Sequence, residues 1–280
     1  CVGHVEDLAG NVSEQQIRFS VNRFGSNYIL SDETQALVDN YYTNQRPTLQ
    51  VTEINVDTLE FMEITASSGG AVDTLEQGKD YTVEQKGDEN TWKEYTYTIA
   101  PENFEADGAY NITIFSRDAA ENENSNRTTR QEYAKPIDFA LDTTPPTAVI
   151  TGVDNDETYF ENGRTVTIYA EDNIRLGSLQ LFMDGELIAE YDEEQLEASD
   201  GVVTYEARSG SRWQELGVTV TDRAGNTLSD MTVRYLLTRN LFVQYINSTP
   251  ALVISLVAAA AAAGFIIILL RRKKKEKETV

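Results

Sequence analysis

Twenty consecutive residues without a charge, ALVISLVAAAAAAGFIIILL at 251–270, constrain this chain more than any other feature. As a helix rising about 1.5 Å per residue they reach about 30 Å, the thickness of a bilayer's hydrocarbon core. The run Ala258 to Ala263 makes the centre only mildly apolar, but Leu, Ile, Val and Phe flank it and Ser255 is its one polar side chain. A helix buried in a soluble core needs cover on every side, and here only RRKKKEKETV follows. The sequence predicts a transmembrane helix over 251–270. Arg271, Arg272, Lys273, Lys274 and Lys275 then act as the stop-transfer flank, because cationic flanks stay on the cytoplasmic side. The expected localisation is the cell membrane, single-pass, with the N-terminal portion extracellular.

Charge narrows the partners. Six of the 23 cations and two of the 46 acids lie in the last ten residues, so the preceding part carries 17 cations against 44 acids. That excess repels phosphate backbones and anionic headgroups, which argues against nucleic acid. The one cysteine, Cys1, and the one histidine, His4, leave no intramolecular disulfide, no Cys/His zinc site and no terminal-histidine route to a serine triad. Paired carboxylates are abundant by composition and single out nothing, and there is no phosphate loop. The chain reads as non-catalytic, with no catalytic residue and no organic cofactor.

Three segments share one pattern of strand, turn and strand: HVEDLAGNVSEQQIRFSVN from His4, TIFSRDAAENENSNRTTRQEYAKPIDFALD from Thr113, and GVTVTDRAGNTLSDMTVRYLL from Gly217. Their turns, Asp7–Asn11, Asp118–Asn122 and Asp222–Asn226, lie roughly 105–110 residues apart, the spacing of repeated sandwich domains. Asp accepts bonds from nearby backbone N–H groups, while Gly10, Gly225 and the asparagines tolerate positive φ. The middle copy has Glu121 in place of glycine, so its turn is expected to be looser.

Short alternating runs fill the space between these marks. TAVITGV, RTVTIYAED, SLQLFMD, ELIAEY, VVTYEA, LGVTVTD and MTVRYLL read as strands of one domain, with turns at Asn162-Gly163 and Asp184-Gly185 and a helical turn over DEEQLEAS. LQVTEINVD, LEFMEITA, DYTVEQK, KEYTYTIA, YNITIFS and IDFALD read likewise for the domain before it. There Ser31 caps a short helix expected to bury Leu37, Val38 and Tyr41, and Tyr110 sits where a tyrosine corner would. Pro145 and Pro146 predict a stiff linker between neighbours, hence a semi-rigid rod.

The Asp-x-Ala-Gly-Asn endings, with the join LDTTPPTAVITGV at Leu141 to Val153, resemble the bacterial Ig-like repeats of Gram-positive cell-surface proteins, over most of residues 1–237. The predicted fold class is all-β, tandem immunoglobulin-like β-sandwiches followed by a single C-terminal transmembrane helix. Residues 1–21 are expected to be the last hairpin of a truncated domain, 22–142 a domain with a short helical insertion, 143–237 a second domain, 238–250 a juxtamembrane linker, 251–270 the membrane helix and 271–280 a basic cytoplasmic tail. The chain is thus expected to be the C-terminal part of a longer exported protein, a lipidated Cys1 being the alternative start. Sortase signals share the final layout, but QYINSTPA before the span lacks their Leu-Pro-x-Thr-Gly pentapeptide, so permanent anchoring is expected, a divergent sortase site being the alternative. The resemblance implies a surface stalk or adhesion segment, with host or cell-wall proteins or glycans as partners. The alternative is a set of accessory domains and an anchor for a surface glycosidase or protease whose catalytic part precedes Cys1.

Individual sites are few. Trp92 and Trp213 read as core aromatics in or beside strands, since a sugar-stacking role needs them exposed. Acidic loops offer oxygen ligands for calcium, with Asp154, Asp156, Glu157 and Asp172 the candidates, joined by Glu171 and by Asp142 in the linker. Their spacing matches no dedicated calcium loop, and solvated acidic loops are the default reading.

Overall fold

The computed structural model describes residues 1–17, 21–23, 25–88, 91–130, 133–247 and 249–277. The chain separates into two compact units, Cys1–Thr144 and Pro145–Val280, each with its own apolar core.

The first unit starts with an exposed antiparallel hairpin, β1 (Val2–Glu6) and β2 (Val12–Gln16). Its sandwich follows with β3 (Asn27–Leu30), α1 (Asp32–Asn40), β4 (Tyr42–Thr43), β5 (Leu49–Asn55), β6 (Leu59–Ser68), β7 (Ala71–Thr74), β8 (Tyr81–Lys86), β9 (Lys93–Ile99), β10 (Gly108–Asp118), β11 (Glu123–Ser125) and β12 (Ile137–Leu141). One sheet has the order β3-β5-β9-β8; the other runs β4-β12-β10-β6-β7, with β11 also on β10. Period-2 alternation decides what each strand buries. β5 turns Leu49 and Val51 inward, β9 turns Tyr95, Tyr97 and Ile99, and β10 turns Tyr110, Ile112 and Ile114. Each such side chain contributes about 1.5–3 kcal/mol by leaving water.

Local chemistry sets the connections. Ser31 Oγ accepts from Thr34 N and caps α1, whose Leu37 and Val38 pack against the core. Tyr41 departs from expectation: it lies at the helix C-cap with φ 68° and is exposed, because the chain must reverse there to enter β4 at the next residue. The tyrosine corner forms, with Tyr110 Oη donating to Ala106 O at 2.8 Å and accepting from Ala106 N.

The second unit contains β13 (Thr147–Thr151), β14 (Glu157–Tyr159), β15 (Gly163–Glu171), β16 (Leu176–Met183), β17 (Glu186–Tyr191), α2 (Glu193–Ala198), β18 (Val202–Arg208), β19 (Gln214–Asp222), β20 (Thr227–Leu237), α3 (Leu241–Asn247) and α4 (Thr249–Lys277). Its sheets have the orders β13-β15-β18 and β14-β20-β19-β16-β17. Asp192 and Gln195 close a capping box at the start of α2, which drops Leu196 into the core. Both units are immunoglobulin-like two-sheet sandwiches, so the fold class is all-β with one long apolar C-terminal helix. The segment between β20 and the span, expected as a linker, contains α3.

Candidate functional site

The three repeated turns have the same hydrogen-bond pattern. Asn11 N, Asn122 N and Asn226 N donate to Oδ1 of Asp7, Asp118 and Asp222 at 2.8–2.9 Å, and each asparagine amide returns to its aspartate. The middle turn is therefore not loosened, contrary to expectation. Glu121 takes the left-handed conformation, φ 62°, where Gly10 has 86° and Gly225 has 94°. A β-carbon in that region costs roughly 1 kcal/mol. What holds the turn closed is extra bonding: Asp118 Oδ2 also accepts from Asn22 Nδ2 at 2.8 Å and from Asn55 Nδ2 at 3.1 Å. Burial pushes the Asp118 carboxyl up, but bonds from Asn122, Asn55 and Ala120 outweigh it and hold the group below its ordinary value.

Beside this turn the interior of the first sandwich is polar. Glu53 is fully buried and accepts from Tyr97 Oη at 2.7 Å, from Tyr28 Oη at 3.2 Å and from Ser116 Oγ. All three donors are neutral hydroxyls, so among the described residues hydrogen bonds rather than an ion pair hold the Glu53 carboxyl. Burial first, and the Glu53 charge second, push the Tyr28 and Tyr97 hydroxyls far above their ordinary range. Asn124 extends the network: its Nδ2 donates to Ser116 Oγ and its Oδ1 accepts from Ser26 N at 2.8 Å. Gly25, φ 68°, lets the chain pass here, since a β-carbon would lie 1.8 Å from Asn124 Oδ1.

The outer members of this network, Asn22, Ser26, Asn122 and Asn124, line a groove of about 740 Å³ within the first unit, together with Trp92, Tyr133, Arg23, Arg130, Glu121 and Glu123. Trp92 is 57% exposed and Tyr133 41%. Trp92 thus corrects the expectation of a core aromatic. The core side chains of β9 are the odd-numbered Tyr95, Tyr97 and Ile99, and Trp92 precedes them out of phase. Gly87, φ 98°, lies against the Trp92 carbonyl, which a β-carbon would approach to 2.2 Å.

In the second unit, Trp213 is half-buried; its indole N–H donates to Asn247 Oδ1 at 3.0 Å and Arg234 lies over its ring. The acidic loop residues do not gather as one set. Asp154 accepts from Tyr159 Oη, Asp156 is paired with Arg234 at 2.6 Å, and Glu157 opens β14. Glu171 is exposed at the end of β15. Asp172 instead lies near Asp222, with carboxylate oxygens within 4.8 Å of one another. Asp172 Oδ2 accepts from Ile174 N and Arg175 N, while its Oδ1 is buried without a hydrogen-bond partner among the described residues. Asp142, in the first unit, is buried and accepts from Thr144 N at 3.2 Å.

The apolar span lies on α4, and Pro250–Arg271 is long and apolar enough to cross a membrane. Its large side chains stand exposed, from Leu252 through Leu256 and Phe265 to Leu270. Ser255 Oγ donates to Ala251 O at 2.7 Å, so its hydroxyl is satisfied inside the helix. Arg271 and the backbone of Arg272, Lys273, Lys274 and Lys275 continue α4; the side chains of those last four lie outside the described residues. Before the span, α3 exposes Leu241, Phe242, Tyr245 and Ile246.

No family model and no curated protein matches the chain. Among solved structures, fibronectin(III)-like modules of Clostridium thermocellum CbhA align at 13% identity and TM-score 0.33, covering 75% of this chain and 94% of theirs. A tetra-tandem repeat in the extending region of a large adhesion protein aligns at 15% and 0.36, covering 85% of this chain and 56% of that one. The C-terminal domain of the Streptococcus agalactiae AgI/II polypeptide BspA aligns at 10% and 0.27, covering 75% and 99%. At such TM-scores the likeness carries no argument, and the fold assignment stands on the two pairs of sheets.

Proposed function

We propose that this chain is a non-catalytic stalk or adhesion segment of a bacterial cell surface, anchored by α4 with its sandwiches outside and its basic tail in the cytoplasm. The observation that carries this reading is the uncovered apolar surface of α4, from Leu252 to Leu270, which follows two folded sandwiches and the short helix α3. Such a surface is untenable in water and at home in lipid. Arg271 to Lys275 favour the inside position for the C-terminus. The exposed Phe242 and Tyr245 of α3 suit the headgroup layer beside the span. The experiment is membrane extraction: the chain stays in the pellet after an alkaline carbonate wash, and the variant lacking 251–270 is released. Retention of that variant would contradict the anchor.

We also propose that Asp172 and Asp222 supply anionic ligands for calcium in the second unit. Two carboxylates within 4.8 Å, one with a buried oxygen that has no hydrogen-bond partner among the described residues, fit a hard cation that collects oxygen donors. Millimolar calcium then raises the melting midpoint of the wild-type chain and not of Asp172→Asn, because a ligand of the folded state alone must stabilise it. No rise in the wild type would retire the site.

A further inference from the structure

We propose that the groove beside the Asp118–Asn122 turn binds a neutral oligosaccharide. Two exposed aromatic rings, Trp92 and Tyr133, line a space of about 740 Å³, within the usual range for small-ligand sites. A pyranose ring presents a face of C–H groups that packs on an aromatic ring and an edge of hydroxyls that needs donors and acceptors. The groove offers both. Arg23 and Arg130 donate, Glu121 and Glu123 accept, and a carboxylate takes two neighbouring hydroxyls at once. Two cations and two acids line the groove, a balanced set in a chain of net charge −23, so its rim offers donors and acceptors without a strong excess of either sign.

Glu121 is the second sign. At the same place in the other two turns the chain uses glycine, the residue that adopts a positive φ without strain, yet here a glutamate, one of the groove's lining residues, holds φ 62°. A left-handed glutamate beside a groove is the kind of outlier from which a ligand-facing role is inferred. Part of the lining is also fixed in advance. Asn22 bonds to Asn55 and Asp118 behind it and Asn124 to the adjoining backbone, so little ordering of these two side chains remains for a ligand to impose.

The groove's use in the cell rests on the exterior placement proposed above, but its binding does not. The test titrates chitotetraose, cellotetraose, maltotetraose and lacto-N-tetraose into the full chain in phospholipid nanodiscs, which avoids sugar-headed detergents, by tryptophan fluorescence and calorimetry. At least one sugar saturates with Kd below about 1 mM. Trp92→Ala weakens it about tenfold or more with an unchanged melting midpoint, Tyr133→Ala and Glu121→Gly weaken it several-fold, and Trp213→Phe leaves it intact. Failure of all four sugars to saturate, wild-type affinity in Trp92→Ala, or saturation by a pool of unstructured peptides in their place would each overturn the proposal. A failed titration leaves the anchor untouched, and a failed extraction leaves the groove untouched.

Discussion

In the first sandwich the inward face of β10 passes from Ile112 and Ile114 to Ser116 and Asp118, and β5 opposite it passes from Leu49 and Val51 to Glu53 and Asn55. In the second, β19 stays apolar through Leu216, Val218 and Val220 and turns polar only at Asp222. Among the described residues the first unit buries eight polar or charged side chains and the second two, Asp222 and Thr238. The same turn therefore closes an apolar sandwich in one unit and tops a polar network in the other. The difference teaches that a repeated turn is not a repeated environment: the turn beside the groove is the one that rests on buried polar residues.

Breaking that support has the largest effect. Glu53→Ala leaves the hydroxyls of Tyr28, Tyr97 and Ser116 without their shared acceptor, and is expected to destabilise the first unit by about 3–5 kcal/mol. Hydrogen exchange resolved by unit in mild urea checks it; the second unit keeps its protection. Next comes Asp118→Asn, which turns an amide toward the donors Asn22 Nδ2 and Asn55 Nδ2. It is expected to cost about 2–3 kcal/mol, more than Asp222→Asn, whose turn lacks those two donors.

Acid sharpens the same contrast. A carboxyl whose folded value is depressed contributes stability that is complete above its unfolded value, about 3.9, and lost as pH falls through the folded one. Asp118 is such a group. Acid unfolding of the first unit, followed by the same exchange, is steeper below pH 4 in the wild type than in Asp118→Asn.

Two tyrosines give a smaller, signed comparison. Tyr97→Phe removes a bond to a buried charge and is expected to destabilise by about 1.5–3 kcal/mol. Tyr235→Phe in the second core removes a buried hydroxyl that has no partner among the described residues. Burial pushes that hydroxyl up to about 12; its loss leaves stability unchanged or raised by less than about 1 kcal/mol. Glu121→Gly is the last. It relieves the left-handed strain and raises the first unit's stability by about 1 kcal/mol, even as it removes a groove side chain.

Much of the fold was legible because period-2 alternation marks long strands such as β5, β9, β10, β15 and β19. The strands it missed are short or weakly patterned. Asn27–Leu30, Tyr42–Thr43, Ala71–Thr74, Glu123–Ser125 and Glu157–Tyr159 have two to four residues each, and β4 and β14 pair in parallel with strands far along the sequence. Such pairing has no local signal. The groove was legible only in hindsight: parity put Trp92 out of phase with Tyr95 and Tyr97, and put Glu53 and Asp118 in phase with the core. Glu121 misled because a missing glycine signals a loose turn unless outside bonds hold it, and those bonds come from Asn22 and Asn55, distant in sequence.

Topology across the bilayer is the most direct test of the whole account. Cys1 is exposed and is the one cysteine in the sequence, so the chain, exported behind a leader in intact cells, carries its own reporter. A membrane-impermeant maleimide labels Cys1 without permeabilisation, while a cysteine moved to the tail, Cys1→Ser with Thr279→Cys, reacts only after the membrane is opened. Labelling of the tail on intact cells, with Cys1 protected, would contradict it.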